Sequence, residues 1–172
     1  LSLIEERSGA LGRFLRAYAQ LARLPKPQPR PVPVAPLLGR IVELEKRLAV
    51  RSLGGPELTV MADSDQLEQL LINIVRNAVD ASLETKGGVT VGWRAVGDLF
   101  EVVIDDEGKG LPDTSNLFVP FFTTKPNGSG IGLALSRQIA EAHSGTLTLE
   151  NRVGTAGCRA TLRIPLGDAA SR

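Results

Sequence analysis

The stretch ADSDQLEQLLINIVRNAVDASLETKGGVTVGWRAVGDLFEVVIDDEGKG, residues 62–110, passes from one apolar rhythm to another and ends in an acidic, glycine-bearing turn. In its first half Leu67, Leu70, Leu71, Ile74 and Ala78 recur at the three-to-four-residue interval that gathers side chains on one helical face. This predicts a helix over residues 65–83, buried on one side and started by Ser64 or Asp63 as N-cap. In the second half residues 89–94 and 100–104 alternate apolar with polar, the two-residue period of paired strands, with Val96, Gly97 and Asp98 at the turn between them.

Outward from this unit, residues 36–49 read as a helix and 58–62 as a strand, while 132–142 resume a helix. Residues 146–150 and 158–164 resemble two closing strands around a Gly154–Gly157 turn. Interleaved helices and strands predict an α/β fold, a two-layer sandwich of a mixed sheet and helices. Residues 107–130 hold four glycines and three prolines together with Phe118, Phe121 and Phe122. They are too broken for regular structure and too apolar for a disordered linker, so a functional lid is expected. Residues 1–24 carry Ile4, Leu11, Leu15, Tyr18 and Ala22 on one helical face, a stripe that calls for a partner helix. Six of the eleven prolines then fall within residues 25–36, which predicts an extended, semi-rigid linker. The expected organisation is a helix over 1–24, a linker over 25–36 and the main domain over 37–168.

A formal charge of +1 with no Lys/Arg block gives no phosphate-tracking stripe, so nucleic acid is not an expected partner. No apolar run approaches the roughly 20 residues of a membrane-spanning helix, and the first residues lack the basic-then-apolar pattern of a signal peptide. A single cysteine, Cys158, forbids an internal disulfide, and with the single His143 it supplies too few ligands for a zinc site. A reducing cytoplasm is the simplest location, and Cys158 is expected to be a small buried hydrophobe.

Three clusters carry chemistry. Asn73 and Asn77 lie four apart on the polar margin of the 65–83 helix, although Asn is a poor interior helix residue. Their amide oxygens suit a hard cation such as Mg²⁺, and a solvated or capping role is the alternative. Asp106, Glu107, Gly108, Lys109 and Gly110 follow the strand 100–104. There an Asp can accept from an exocyclic amine while glycines let backbone approach a flat ring; a plain acidic turn is the alternative. Gly128, Ser129, Gly130, Ile131, Gly132 and Leu133 open a helix whose free N–H groups can cradle phosphate. No buried strand runs into this turn, so it is not a dinucleotide-binding fingerprint, and no P-loop occurs.

Taken in order, Asn73-Ile74-Val75-Arg76-Asn77-Ala78, Asp106-x-Gly108-x-Gly110, Phe118 to Lys125 and Gly128-x-Gly130-x-Gly132-Leu133 resemble the N, G1, F and G2 boxes of sensor histidine kinases, within the GHKL superfamily. The similarity covers residues 58–165, and the nitrogen-regulation branch is the nearest in spelling. It implies the Bergerat ATP-binding fold, an N-terminal helix from a dimerisation bundle, and transfer of the ATP γ-phosphoryl group to a histidine. Carried over, Asn77 would coordinate Mg²⁺, Asn73 would lie beside the phosphates and Asp106 would bind the adenine amino group. Gly108 and Gly110 would shape the adenine pocket. Gly128, Ser129, Gly130, Ile131, Gly132 and Leu133 would wrap the triphosphate, with Lys125 a lid contact. Asn73, Asn77 and Lys125 are thus the expected catalytic set, with ATP and Mg²⁺ as cofactors.

The implied partners are the kinase's own dimerisation and phosphotransfer domain, as a homodimer, and a response regulator. The acceptor histidine would lie upstream of Leu1, because His143 resembles the family's helix-ending histidine and is expected to be structural. Two departures stand out: Glu107 where Asn is frequent, and Asp80 where many relatives place a phosphate-binding Lys. The related gyrase, Hsp90 and mismatch-repair ATPases place a water-activating glutamate where this chain has Asn73, so hydrolysis is not expected. A nucleotide-sensing module without transfer is the other alternative.

Overall fold

The computed structural model describes residues 8–9, 11–12, 15–16, 18–19, 21–112, 115–123, 125 and 128–167. Its elements are β1 (Arg30–Pro33), α1 (Val34–Leu44), β2 (Val50–Gly54), β3 (Thr59–Ala62), α2 (Ser64–Thr85), β4 (Val89–Val96), β5 (Leu99–Asp106), α3 (Gly132–Ala142), β6 (Thr146–Asn151) and β7 (Cys158–Pro165). Five strands form one sheet in the order β2-β4-β5-β7-β6, and β1 with β3 makes a separate antiparallel pair. Only β2 runs parallel to its neighbour, so the sheet is mixed, as expected.

The core lies between the sheet and the helices. Phe100, Val102 and Ile104 of β5 and Leu162 and Ile164 of β7 turn inward by strand alternation. They meet Leu67, Leu70, Leu71, Ile74 and Ala78 of α2, the stripe expected from the sequence, all buried. Asp63 caps α2 by accepting from the Gln66 N–H at 3.2 Å. The helix ends two residues past the expected 83, at Thr85, followed by Lys86 in the left-handed region at φ 58°. The β4–β5 hairpin pairs Val96 with Leu99 across the expected Gly97–Asp98 turn.

The stretch over residues 25–36, expected as an extended, semi-rigid linker, is in part a paired strand. Residues 30–33 form β1, and Val34 already opens α1. Pro31 and Pro33 are two apart, so both missing N–H groups face one side, which an edge strand tolerates. Buried Val32 and Val34 join the core. The helix expected over 36–49 instead ends at Leu44, because the Glu45 carboxylate takes the Arg47 backbone N–H at 2.8 Å and its guanidinium at 2.7 Å. That is a local alternative to continued helix. Strand β2 has no counterpart among the sequence expectations.

The described residues between 8 and 22 are helical, with Leu11, Leu15 and Tyr18 exposed; Ile4 lies outside the described residues. Among the described residues no helix is long and apolar enough to cross a membrane.

On the outer face of the sheet Glu101 is 1% exposed yet accepts from Arg94 and Arg163, each at 2.6 Å. Burial raises its pKa, but the hydrogen bonds from Arg163 and Arg94 outweigh burial and hold it below its ordinary 4.5. A carboxylate with a depressed pKa stabilises the fold above the unfolded value and stops doing so as pH falls through the folded one. Glu101→Gln should therefore cost about 1–3 kcal/mol at neutral pH. Denaturant titrations should show this cost shrinking below pH 4.5; a gap that stays constant into acid would remove Glu101 from that role.

Candidate functional site

Helix α2 is the spine on which all three expected clusters meet, in order along one margin. At its C-terminal end Gly108 presses on Ala81, so that a Cβ there would lie 2.7 Å from the Ala81 Cβ. One turn earlier the Lys125 ammonium donates to Asn77 Oδ1 at 2.9 Å. A further turn earlier Gly132 packs on Asn73, where a Cβ would come within 2.5 Å of the amide oxygen. Eight residues of helix separate the first contact from the last, about 12 Å at 1.5 Å per residue.

Asp106 ends the central strand β5 and is 6% exposed. Its Oδ1 accepts from the Gly108 N–H at 2.8 Å and from the Cys158 N–H at 3.1 Å. Oδ2 accepts from none of the described residues, which leaves one carboxylate oxygen for a donor brought by a ligand. Burial raises the Asp106 pKa, opposed by the two backbone donors. The same burial pushes the neighbouring Cys158 thiol up to about 12, so the cysteine is the small buried hydrophobe expected. Gly157, at φ 110°, closes the β6–β7 turn against the Asp106 carbonyl with no room for a side chain. Gly110, at φ 82°, does the same against Asn151, whose amide brackets Leu111 by accepting from its N–H at 2.6 Å and donating to its carbonyl at 3.0 Å.

At the other end α3 begins after Ile131 without a side-chain cap, so among the described residues its first N–H groups are left to an anion. Ile131 is buried and Leu133 packs on the core, so these two offer only backbone. Gly130, at φ 68°, accepts at its carbonyl from the Phe121 N–H at 2.7 Å and leaves no space for a Cβ beside that backbone. The lid is thereby stitched to the start of α3. Gly128 closes a turn by donating its N–H to the Lys125 carbonyl at 3.1 Å.

A cavity of about 560 Å³ between α2 and α3 is lined by Asn73, Arg76, Ser129, Ile131, Gly132 and Ser136, among others. It excludes Asn77 and Asp106. Lys125 lies across that stretch of α2.

Three positions escaped the sequence. Ser136 accepts from the Asn73 amide at 2.9 Å and fixes its orientation, so Asn73 directs its oxygen toward Gly132. Asn151 and Arg47 act through partners 40 and 33 residues away, distances at which no local pattern speaks. The two departures also find physical accounts. Glu107 turns away from the site, its carboxylate accepting from the Gly88 N–H at 2.7 Å to close the α2–β4 loop. Asp80 is bridged by Lys125 on one oxygen and by Arg47, at 2.6 Å, on the other. Burial raises its pKa, and the bonds from Lys125 and Arg47 overcome this and lower it.

For a divalent cation, Asn77 and Asp80 offer two hard oxygens that already converge on one positive charge, the Lys125 ammonium, so the donor set fits the group. Among the described residues no cluster of three or more His, Cys, Asp or Glu forms a separate metal site.

His143 follows α3, where Nδ1–H donates to the Ile139 carbonyl at 2.8 Å and Nε2 accepts from the Asp63 N–H at 3.0 Å. Nε2 thus ties the end of α3 to the start of α2, and the bond from Nδ1 to the preceding turn of α3 holds the ring in that orientation.

Residues 62–168 match the family model described as histidine kinase-, DNA gyrase B-, and HSP90-like ATPase. Sensor protein FixL of Bradyrhizobium diazoefficiens is 43% identical over 108 residues, 60% of this chain and 21% of that protein. Sensor protein kinase PilS of Pseudomonas aeruginosa is 31% identical over 169 residues, 91% of this chain and 32% of that protein. The chain thus spans a fifth to a third of the length of these relatives. The solved catalytic domain of histidine kinase ThkA superposes with a TM-score of 0.71 at 27% identity, over 81% of this chain and 96% of that one.

Proposed function

The chain belongs to the histidine kinase-, DNA gyrase B-, and HSP90-like ATPase family, and from that premise we propose that it is the ATP-binding catalytic domain of a two-component sensor histidine kinase. The relatives FixL and PilS support the kinase level of the resemblance more than the nitrogen-regulation branch. The observation that carries the proposal is Asp106, buried at the end of β5 with one oxygen held by backbone and the other left for an exocyclic amine.

In this reading adenine lies against Gly108 and Gly110, and the phosphates run along α2 toward Asn73 and the free N–H groups of α3. Mg²⁺ held by Asn77 would supply charge neutralisation to the phosphates when bound. Lys125 and the lid residues fold over them and exclude water. Asn73, anchored by Ser136, brings an amide where a hydrolytic enzyme would place a carboxylate base, so water is not activated there. Transfer to an imidazole needs little base help, because a neutral ring nitrogen is already a nucleophile; positioning and electrostatics are what remain. The acceptor histidine then belongs to a dimerisation domain that packs on the exposed Leu11, Leu15 and Tyr18 stripe, and a response regulator takes the phosphoryl group onward.

Calorimetry with ADP tests the reading. Asp106→Asn should weaken ADP by on the order of 1–3 kcal/mol through a lost charge-assisted hydrogen bond. Because burial raises the Asp106 pKa, wild-type affinity should also begin to fall at a higher pH than an ordinary carboxylate would dictate. Unchanged ADP affinity in the variant would remove Asp106 from the adenine contact.

A further inference from the structure

Asp80 stands one turn beyond Asn77 on the same margin of α2, and the two side chains reach a single point. The Lys125 ammonium occupies it, 2.9 Å from Asn77 Oδ1 and 2.5 Å from Asp80 Oδ2. A lysine at position 80 would place a positive charge here and favour a phosphate. An aspartate instead gives a hard, negatively charged oxygen next to a neutral one, the kind of set that Mg²⁺ and Mn²⁺ select. Arg47 holds the other Asp80 oxygen at 2.6 Å and so keeps the carboxylate aimed at the shared point, without occupying it.

Resting on the nucleotide site proposed above, we propose that Asp80 is a second side-chain ligand of the divalent cation beside Asn77. Lys125 is then the chain's own counter-cation in that site until metal displaces it. The ammonium and the metal compete for the same two oxygens, so loading the metal releases Lys125 from α2. Since Lys125 belongs to the lid, the arrival of metal releases the lid's charge from α2 while the Phe121–Gly130 bond still holds the lid to α3, and the ammonium becomes available to the phosphates that accompany the metal. Asp80 thereby exchanges the phosphate contact implied by family resemblance for a metal contact, and the phosphate contact passes to the lid.

The competition predicts effects of opposite sign in the chain without nucleotide. Mn²⁺ binding, followed by the paramagnetic resonance signal of the free ion, should weaken roughly tenfold or more in Asp80→Asn, which removes a charge from the ligand set. It should tighten severalfold in Lys125→Met, which vacates the site, and the double variant should lose that tightening. ADP binding without metal, measured on the same samples, separates the two proposals. If the chain and its variants bind ADP while Mn²⁺ affinity is indifferent to Asp80→Asn in both the wild-type and the Lys125→Met backgrounds, Asp80 is not a ligand. If Mn²⁺ binds no tighter in Lys125→Met, the counter-cation role falls. Failure to bind ADP at all would instead overturn the nucleotide site itself.

Discussion

Incubated alone with γ-labelled ATP, the 172-residue chain should acquire no phosphohistidine, and the label should appear only on a dimerisation domain added to it. His143 is the single histidine, and each of its ring nitrogens is already used, Nδ1 by the Ile139 carbonyl and Nε2 by the Asp63 N–H. A phosphoryl group on Nε2 would break the bond that joins the end of α3 to the cap of α2 and strand the Asp63 N–H, at about 1–3 kcal/mol, and one on Nδ1 would break the bond to the Ile139 carbonyl that sets the ring's orientation. Transfer in trans should be slow, because a covalent tether supplies an effective concentration of about the mM range and a free acceptor does not. In His143→Ala the trans reaction should persist, with stability reduced. Acid-labile label on the lone wild-type chain that vanishes in His143→Ala would reverse the assignment of this residue.

The second large effect is expected at Asn77. Asn77→Ala should abolish the tightening of nucleotide by Mg²⁺, at least roughly tenfold, and leave metal-free binding largely intact. The ring pocket at Asp106 and Gly108 lies one turn further along α2 and does not use the Asn77 amide. Since the substitution also removes the acceptor of the Lys125 hydrogen bond, Lys125→Met is the matching control for lid effects. ADP affinities with and without Mg²⁺ decide it: equal losses under both conditions would mean that Asn77 shapes the pocket and does not hold metal.

Much of the fold is legible in the amino-acid sequence, for reasons that differ from element to element. Helix α2 announces itself because its buried stripe runs from Gln66 to Ser82, more than four turns, and Asp63 stands in the capping position. The β4–β5 hairpin does so because alternation and turn chemistry agree across a short loop. Strand β1 is hidden by prolines that usually mean a spacer. Strand β2 is hidden because only Val50 of its five residues is buried, leaving no alternation to see. Asp106, Asn73, Asn77 and the glycines are visible as residue types at fixed spacing, and the four-box resemblance joins them into one site. Ser136, Asn151 and Arg47 are not visible, because their roles exist only through tertiary partners 63, 40 and 33 residues distant. Asp80 is visible only as a departure; its convergence with Asn77 on Lys125 requires the fold.

The order in which the sheet is assembled has a consequence for the chain as it leaves the ribosome. Central strand β5 needs β7 on one side, and β7 runs from Cys158 to Pro165, so the sheet cannot close until the lid and α3 have been synthesised. At about 5–20 residues per second, the interval from the end of α2 at Thr85 to the end of β7 is roughly 4–16 s. Throughout that interval Leu67, Leu70, Leu71 and Ile74 lack the cover of α3 and β7 and rely on the elements made before them and on the β4–β5 hairpin once it is complete, which leaves the nascent chain open to chaperones. A product that terminates early, before Cys158, keeps that apolar face open and becomes a substrate for proteolysis.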